Sequence, residues 1–231
     1  MSPPMPPSPN PDETDYAVAR TLMVEGQVRP NKVTDPRVVA AMRELPRERF
    51  VPADKAPLAY SDEDVPLGDG RYLMEPMVIA RLVQIATPRA GERALVVGAG
   101  TGYGAALLAA CGAAVTALEP NARLLALARA VLPSVAPGVA LVQGELAEGW
   151  KAGAPYDVIL IEGAVPDIPP AVAAQLLPDG GRLVTVLRPG AFIGQAVLCT
   201  SLGGGRLSRT PVFDCAVPAL PMMQPEPGFV F

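Results

Sequence analysis

Histidine is absent from all 231 residues of the chain. Its absence excludes the Ser-His-Asp triad, the Cys-His dyad and every metal site built on imidazole ligands. Cysteine is scarce: Cys111, Cys199 and Cys215 lie far apart and form no CxxC pair. We therefore expect no metal site and no redox pair, and we expect three reduced, mostly buried thiols. Any chemistry must use carboxylates, hydroxyls, backbone dipoles or a cofactor.

Long apolar runs and clusters of basic residues are also missing. No run approaches the roughly 18 apolar residues that a membrane-spanning helix needs, and the N-terminus lacks the basic start and apolar stretch of a secretory signal. We therefore expect a cytoplasmic protein with no membrane span. The formal charge is -4, with no stripe of Lys and Arg. This argues against nucleic acid as the main partner.

The first part of the chain is predicted to be a tail followed by helices. Proline dominates residues 1–12, which we expect to be disordered. Residues 13–231 are predicted to form a single domain, in which 13–90 is a helical extension. Apolar spacing predicts helices over 15–26, 36–45 and 77–86, with an irregular connector over 47–75.

From Arg93 onward, short apolar runs alternate with helical stretches, which is typical of a parallel sheet with crossover helices. We predict an α/β fold with a Rossmann-like, doubly wound sheet of about seven strands, five parallel and two in a C-terminal antiparallel hairpin. The predicted strands are 94–97, 114–118, 140–142, 157–161, 182–187, 197–201 and 206–213. The predicted helices between them are 103–111, 121–131 and 169–177.

A glycine-rich turn, Gly98-Ala99-Gly100-Thr101-Gly102, joins the first of these strands to a helix. Glycines allow the backbone to turn sharply and to approach a ligand closely, at the sheet edge where ligands of such folds bind. Glu119 ends the next strand, where a carboxylate can accept both hydroxyls of a ribose. Tyr103 occupies the position where the dinucleotide fingerprint needs glycine. The pattern therefore favours a ligand with an adenosine but no phosphates, and makes a nicotinamide dehydrogenase a poor alternative.

The turn Gly98–Gly102 followed by Glu119 resembles the first two motifs of class I S-adenosylmethionine-dependent methyltransferases. Other segments, spread over roughly 20–215, resemble the protein-L-isoaspartate O-methyltransferase family in particular. These segments are Val24–Arg29, Val33–Asp35, Pro46–Pro52, Ala59–Asp62, Pro66–Gly70, Ile168–Pro170 and Gln175–Val184.

The resemblance implies a repair enzyme with S-adenosyl-L-methionine as its cofactor. Members of the family methylate the free α-carboxylate of an L-isoaspartyl residue in damaged protein. The ester then closes to a succinimide and reopens partly as normal aspartate. A carboxylate is already ionised at pH 7, so no general base is needed. We therefore assign no catalytic side chain and expect the site to align the reactants and exclude water.

The positions that match the family's motifs, together with departures from them, give the predicted binding residues. The cofactor-binding set is Gly98, Ala99, Gly100, Thr101, Gly102, Glu119, Pro120, Gly144, Glu145 and Glu162. The substrate-binding set is Arg71, Tyr72, Met74, Glu75 and Pro76.

The chain departs from the family pattern at several of these positions. Where the family has G-x-x-Q-T-I-S-x-P, Arg71 takes the Gln position and Met74 the Ser position. One interpretation is that the loop binds a changed substrate, with Arg71 or Tyr72 contacting an anion or a ring. The other is that the loop only packs, with Met74 in the core. Val96 replaces an acid that helps to position the cofactor's amino-acid end, and is predicted to be a core residue.

Two carboxylates complete the list of departures. Glu145 follows Gly144 where the family has Gly-Asp, and it can still lie near the adenine. Glu162 brings a new carboxylate near the cleft, where it either binds a cationic substrate or replaces the acid lost at Val96. A non-catalytic descendant that keeps the fold as a binding module, or an enzyme with an altered acceptor, is the alternative to isoaspartyl repair.

Overall fold

The computed structural model describes residues 11–190 and 192–223, in which helices and strands alternate as predicted. The helices are α1 (Pro11–Met23), α2 (Pro36–Glu44), α3 (Pro76–Ala86), α4 (Tyr103–Ala110), α5 (Ala122–Val135) and α6 (Pro170–Ala173). The strands are β1 (Val65–Gly68), β2 (Arg71–Leu73), β3 (Arg93–Val97), β4 (Ala114–Leu118), β5 (Ala140–Val142), β6 (Val158–Val165), β7 (Arg182–Leu187), β8 (Gly194–Ser201) and β9 (Leu207–Cys215).

In the described residues, seven strands form one mixed sheet in the order β5-β4-β3-β6-β7-β8-β9. The first five are parallel to one another, and β8 runs antiparallel to both of its neighbours, β7 and β9. The predicted fold class is therefore confirmed. Val97, the last residue of β3, pairs with Leu118 on one side and with Ile161 on the other. The carboxyl ends of β3, β4 and β6 thus meet at one edge of the sheet, where the chain reverses its winding direction and ligands of such folds bind.

The two faces of the sheet pack into two separate cores. Alternate side chains of a strand point to opposite faces, so Ala94 and Val96 join the larger core, which contains α2, α3 and α4. Leu95 and Val97 join a smaller core with α6. Val96 is fully buried, which confirms that it is a core residue.

Side chains at the predicted helix starts satisfy the free backbone N–H groups there. Asp35 accepts a hydrogen bond from the Arg37 N–H at 2.9 Å, and Pro36 takes the first position of α2. Asn121 accepts from the N–H groups of Arg123 and Leu124 at 2.9 and 3.2 Å, which starts α5.

Several predicted boundaries were wrong. Helix α1 begins at Pro11 and ends at Met23, followed by a π-helical turn over Val24–Val28. Within α1, Leu22 is exposed, whereas its neighbour Met23 is buried. Helix α6 ends at Ala173, because its four residues give way to a bridge between Leu176 and Tyr156. The predicted tail lies outside the described residues up to position 10, and its last two residues belong to α1.

The connector 47–75 is more regular than predicted. It contains the hairpin of β1 and β2, which the Pro and Gly residues of the segment concealed, because both are uncommon inside strands. The three cysteines are buried and unpaired, as expected. Among the described residues, no helix has the length and apolar character needed to cross a membrane.

We expect Asp35→Ala to lower the free energy of unfolding by about 1 kcal/mol, because α2 would lose its side-chain cap. Asp35→Asn keeps a capping oxygen and should lower the free energy of unfolding much less. Thermal or urea unfolding of the three proteins measures the difference. Equal losses for Ala and Asn would show that the ion pair with Arg37, rather than the cap, is what matters.

Candidate functional site

The glycine-rich turn lies where β3 ends and α4 begins. The φ angles of Gly98, Gly100 and Gly102 are +75°, +57° and +94°, in the region that glycine adopts without strain. The N–H groups of Gly98 and Ala99 both donate to the Leu118 carbonyl at 3.0 Å. The turn is thereby fixed against the carboxyl end of β4, and its glycines place no Cβ between the backbone and a close neighbour.

Two predicted cofactor residues of this turn have structural roles here. Thr101 Oγ1 donates to the Phe50 carbonyl at 2.5 Å, so its hydroxyl faces the N-terminal region. A Cβ at Gly102 would lie 2.8 Å from Leu132 of α5. The positive φ and this packing together favour glycine at Gly102, whereas Gly98 and Gly100 face Arg71.

Glu119 lies directly after β4, fully buried beside the glycine turn. Its Oε2 accepts from the Gly100 N–H at 2.7 Å, and its Oε1 accepts from the Asn121 N–H at 3.1 Å. The carboxylate is thus held by backbone donors from both sides. The sequence predicted this position, since an acid at the end of the second core strand must face the turn after the first.

Arg71 of β2 occupies the space in front of this carboxylate. Its Nη1 donates to both Glu119 oxygens, at 2.7 and 2.9 Å, and its Nη2 donates to the Gly98 carbonyl at 2.7 Å. Both side chains are almost fully buried. The prediction placed Arg71 in the substrate site, whereas the structure joins it to two residues of the predicted cofactor site.

The hairpin that carries Arg71 is attached to the start of α5 through its tip. Asp69 accepts from the Asn121 amide at 2.9 Å and from Arg123 at 3.1 Å, and Arg123 also donates to the Leu67 carbonyl at 2.5 Å. The Arg123–Asp69 pair is about half exposed. Two contacts therefore hold the hairpin over Glu119: the buried Arg71–Glu119 pair and the exposed Arg123–Asp69 pair.

The segment 217–220, which follows β9, forms a second wall over the turn. The Ala164 N–H donates to the Pro218 carbonyl at 3.0 Å, and the Leu220 N–H donates to the Ala164 carbonyl at 2.8 Å. A Cβ at Gly98 would lie 3.0 Å from the Leu220 side chain, and one at Gly163 would lie 2.8 Å from it. Sequence reasoning missed Leu220, because no periodicity links it to a turn so distant in the chain.

Glu162 of β6 is buried on the α4 side of the same edge. A Cβ at Gly104 would lie 2.5 Å from its Oε2, so the carboxyl group packs directly on the first turn of α4. Oε2 has no hydrogen-bond partner among the described residues. Burial raises the pKa of Glu162 to about 8, and the positive charge of Arg71 opposes the shift. Glu162 therefore carries a proton at neutral pH.

Met74 is buried next to this group, and Arg47 fixes its backbone. Arg47 Nη2 donates to the Met74 carbonyl, and Arg47 Nε donates to the Ala59 carbonyl at 2.6 Å. The Arg47 guanidinium lies 4.9 Å from the ring centroid of Tyr103. The Met74 side chain, with Tyr72 and Glu162, lines a gap of about 10 Å³ below Leu220.

The other predicted substrate residues lie along the same edge. Tyr72 is partly exposed beside the gap, and Pro76 starts α3. The Glu75 N–H donates to Asp64 Oδ1 at 2.9 Å. Burial, together with the charges of Asp64 and Asp62, raises the pKa of the Glu75 carboxyl to about 7.

The remaining predicted cofactor residues follow β4 and β5. Pro120 comes directly after Glu119, and its carbonyl accepts from the Gln143 amide at 3.1 Å. Gly144 packs near Leu118 and Trp150, and Glu145 is exposed. These residues lie at the carboxyl ends of neighbouring strands, the same edge that holds Glu119.

The chemistry of this edge fits an adenosine ligand. Both Glu119 oxygens accept hydrogen bonds from Arg71 Nη1. The carboxylate is therefore oriented to accept two hydrogen bonds from donors that lie side by side. Two vicinal ribose hydroxyls present such a donor pair. Gly98 and Gly100 add backbone without side chains beside it.

Comparison with known proteins assigns the chain to a family. Residues 20–196 match the model of the protein-L-isoaspartate(D-aspartate) O-methyltransferase family. A protein-L-isoaspartate O-methyltransferase from Koribacter versatilis is 40% identical over 89% of this chain and 92% of its own length. The chain belongs to the protein-L-isoaspartate(D-aspartate) O-methyltransferase family. The resemblance inferred from the sequence is therefore confirmed.

Solved structures show the same fold. A protein-L-isoaspartate O-methyltransferase superposes with a TM-score of 0.74 at 23% identity, covering 87% of this chain and 65% of that longer chain. A Plasmodium falciparum protein in complex with S-adenosyl-L-homocysteine superposes with a TM-score of 0.72 at 16% identity, covering 90% and 98%. These structures show the Rossmann-like fold. As a member of its family, the chain is a methyltransferase, and the family uses S-adenosylmethionine.

We expect Glu162→Gln to remove part of the pH dependence of stability. The pKa of the folded Glu162 lies above its ordinary value of 4.5, so the folded state binds more protons and stability falls as pH rises from about 4.5 to 8. Between pH 5 and pH 8.5, the free energy of unfolding of the variant should therefore rise by on the order of 3 kcal/mol relative to that of wild type.

Urea unfolding at both pH values measures this gain. Glu145→Gln removes an exposed carboxylate and is the matched control. Glu75, whose pKa is also raised, keeps some pH dependence in both variants. A constant stability difference between wild type and Glu162→Gln across this range would contradict the assignment of a protonated Glu162.

Proposed function

We propose that the chain methylates the free α-carboxylate of isoaspartyl residues in proteins. The observation that carries the proposal is the position of Glu119, which faces the glycine turn of a chain belonging to this methyltransferase family. S-adenosylmethionine supplies the methyl group. The residues of the chain bind and orient the reactants and exclude water from them.

Glu119 is proposed to hold the ribose hydroxyls, because its carboxylate is already oriented by two backbone N–H groups. Gly98 and Gly100 allow the ligand to contact the backbone closely. Gly144 and Glu145 lie beyond the end of β5 and are proposed to border the adenine. Thr101 and Gly102 support the turn through Phe50 and Leu132 rather than through the ligand.

The acceptor is proposed to enter between Tyr72 and Met74, beside Arg71. An isoaspartyl carboxylate is ionised at neutral pH. The site therefore needs a cation to bind it and an apolar surface to exclude water, rather than a general base. Arg71 is the positive group there, and Leu220 with Met74 forms an apolar wall. A protonated Glu162 adds no negative charge to repel the acceptor. The cytoplasmic location of such substrates stays a prediction.

An altered acceptor remains the second candidate because of Met74. The family motif has serine at this position, and a thioether donates no hydrogen bond. The Met74 side chain is buried and lines the gap beside Glu162. A carboxylate bound there depends on Arg71 for its compensating charge.

We expect Glu119→Gln to weaken the binding of S-adenosylhomocysteine by about 1–3 kcal/mol, because a charged acceptor of paired hydroxyls would be lost. Titration calorimetry measures this change. Asp179→Asn, which removes an exposed negative charge outside the proposed binding residues, is the control. Unchanged affinity in Glu119→Gln would refute the cofactor assignment.

We expect wild type to transfer methyl groups to a peptide with isoaspartate and not to the same peptide with ordinary aspartate. The product is a base-labile methyl ester, measured as released labelled methanol. Met74→Ser should increase the turnover of the isoaspartyl peptide, because the hydroxyl adds a donor for its carboxylate. Inactivity of both proteins toward the peptide would favour a different acceptor.

A further inference from the structure

We infer that Arg71 serves two sites in turn, and that it sets the order in which the ligands bind. In the free protein its guanidinium blocks Glu119. Cofactor binding displaces it, and the released guanidinium then binds the acceptor carboxylate. The inference rests on the proposed function, because it assigns the cofactor to Glu119 and a carboxylate to the acceptor site.

The first argument is the number of hydrogen bonds that Glu119 accepts. A carboxylate offers about four acceptor positions. Two accept from the N–H groups of Gly100 and Asn121, and two accept from Arg71 Nη1. The backbone donors belong to the turns themselves and stay in place. Ribose hydroxyls can therefore reach Glu119 only by replacing Arg71.

The second argument is space. The gap beside Arg71, Met74 and Leu220 measures about 10 Å³, roughly the space of one water molecule. Arg71 Nη2 also lies 3.4 Å from the Cβ position of Gly98. An isoaspartyl carboxylate does not fit this gap as it stands, so the side chains that line it, Arg71 among them, have to move before an acceptor binds.

The third argument concerns the fate of the displaced side chain. A buried guanidinium without an anion is strongly unfavourable. Arg71 itself borders this gap, together with Tyr72 of β2 and Met74, so the proposed acceptor site lies next to a guanidinium released from Glu119. The incoming carboxylate restores the ion pair. Without the cofactor, Arg71 stays paired with Glu119 and the acceptor lacks its cation.

The hairpin that carries Arg71 is attached weakly at its tip. Its tip is attached to α5 by the Asp69–Arg123 pair, which is about half exposed, and exposed ion pairs stabilise weakly. The residues before Arg71, from Gly68 to Gly70, all have positive φ. The buried contact with Glu119 is therefore what holds Arg71 in place, and a competing donor pair removes that contact.

Calorimetry with S-adenosylhomocysteine tests the blocking role. Arg71→Gln, which introduces the residue of the family motif, should bind S-adenosylhomocysteine at least tenfold more tightly than wild type. Arg71→Lys keeps the charge but loses the planar guanidinium. Its affinity for S-adenosylhomocysteine should lie between those of wild type and Arg71→Gln. Arg29→Gln, an exposed change of the same charge, should bind like wild type. An Arg71→Gln protein that melts cooperatively but binds no more tightly than wild type would overturn the inference.

A measurement on wild type alone tests the order of binding. An isoaspartyl peptide should bind in the presence of saturating S-adenosylhomocysteine and at least tenfold more weakly without it. Arg71→Gln should bind the peptide weakly in both conditions. Equal peptide affinity of wild type with and without S-adenosylhomocysteine would overturn the inference even if Arg71→Gln fails to fold. If neither wild type nor any variant binds S-adenosylhomocysteine, the proposed function itself fails, and the inference with it.

Discussion

The buried ion pair between Arg71 and Glu119 is the contact around which this edge of the sheet is arranged. It joins the hairpin of β1 and β2 to the glycine turn and to the start of α5. Removing one partner of such a pair costs about 3–5 kcal/mol, because the other charge stays buried. The conformations of three segments that are distant in sequence therefore depend on one guanidinium.

Buried ionisable groups continue from this pair into the core. Glu162 lies within electrostatic reach of both Arg71 and Arg47, and the positive charges of both lower its pKa against the larger effect of burial. Arg47 itself bonds the carbonyls of Ala59 and Met74. In a chain without histidine, these carboxyl and guanidinium groups are the titratable and charged components of the site, and burial determines which of them carries charge.

The sequence predicted those parts of the fold that depend on local pattern. The runs of β3 and β4 fixed the position of Glu119, because a glycine turn and an acid must meet where neighbouring parallel strands end. The hairpin was hidden by Pro66 and Gly68, which disfavour strands. The pairing of Arg71 with Glu119 depends on that hairpin and on folding in three dimensions. The family motif indicated that Arg71 matters, but not which group it bonds.

The wall over the glycine turn comes from a late part of the chain. Leu220 covers Gly98 because segment 217–220 returns to pair with Ala164 after β9 is complete. During synthesis, β3, the turn and Glu119 leave the ribosome long before this segment does. A nascent chain therefore lacks the apolar cover that Leu220 gives Gly98 until segment 217–220 has left the ribosome.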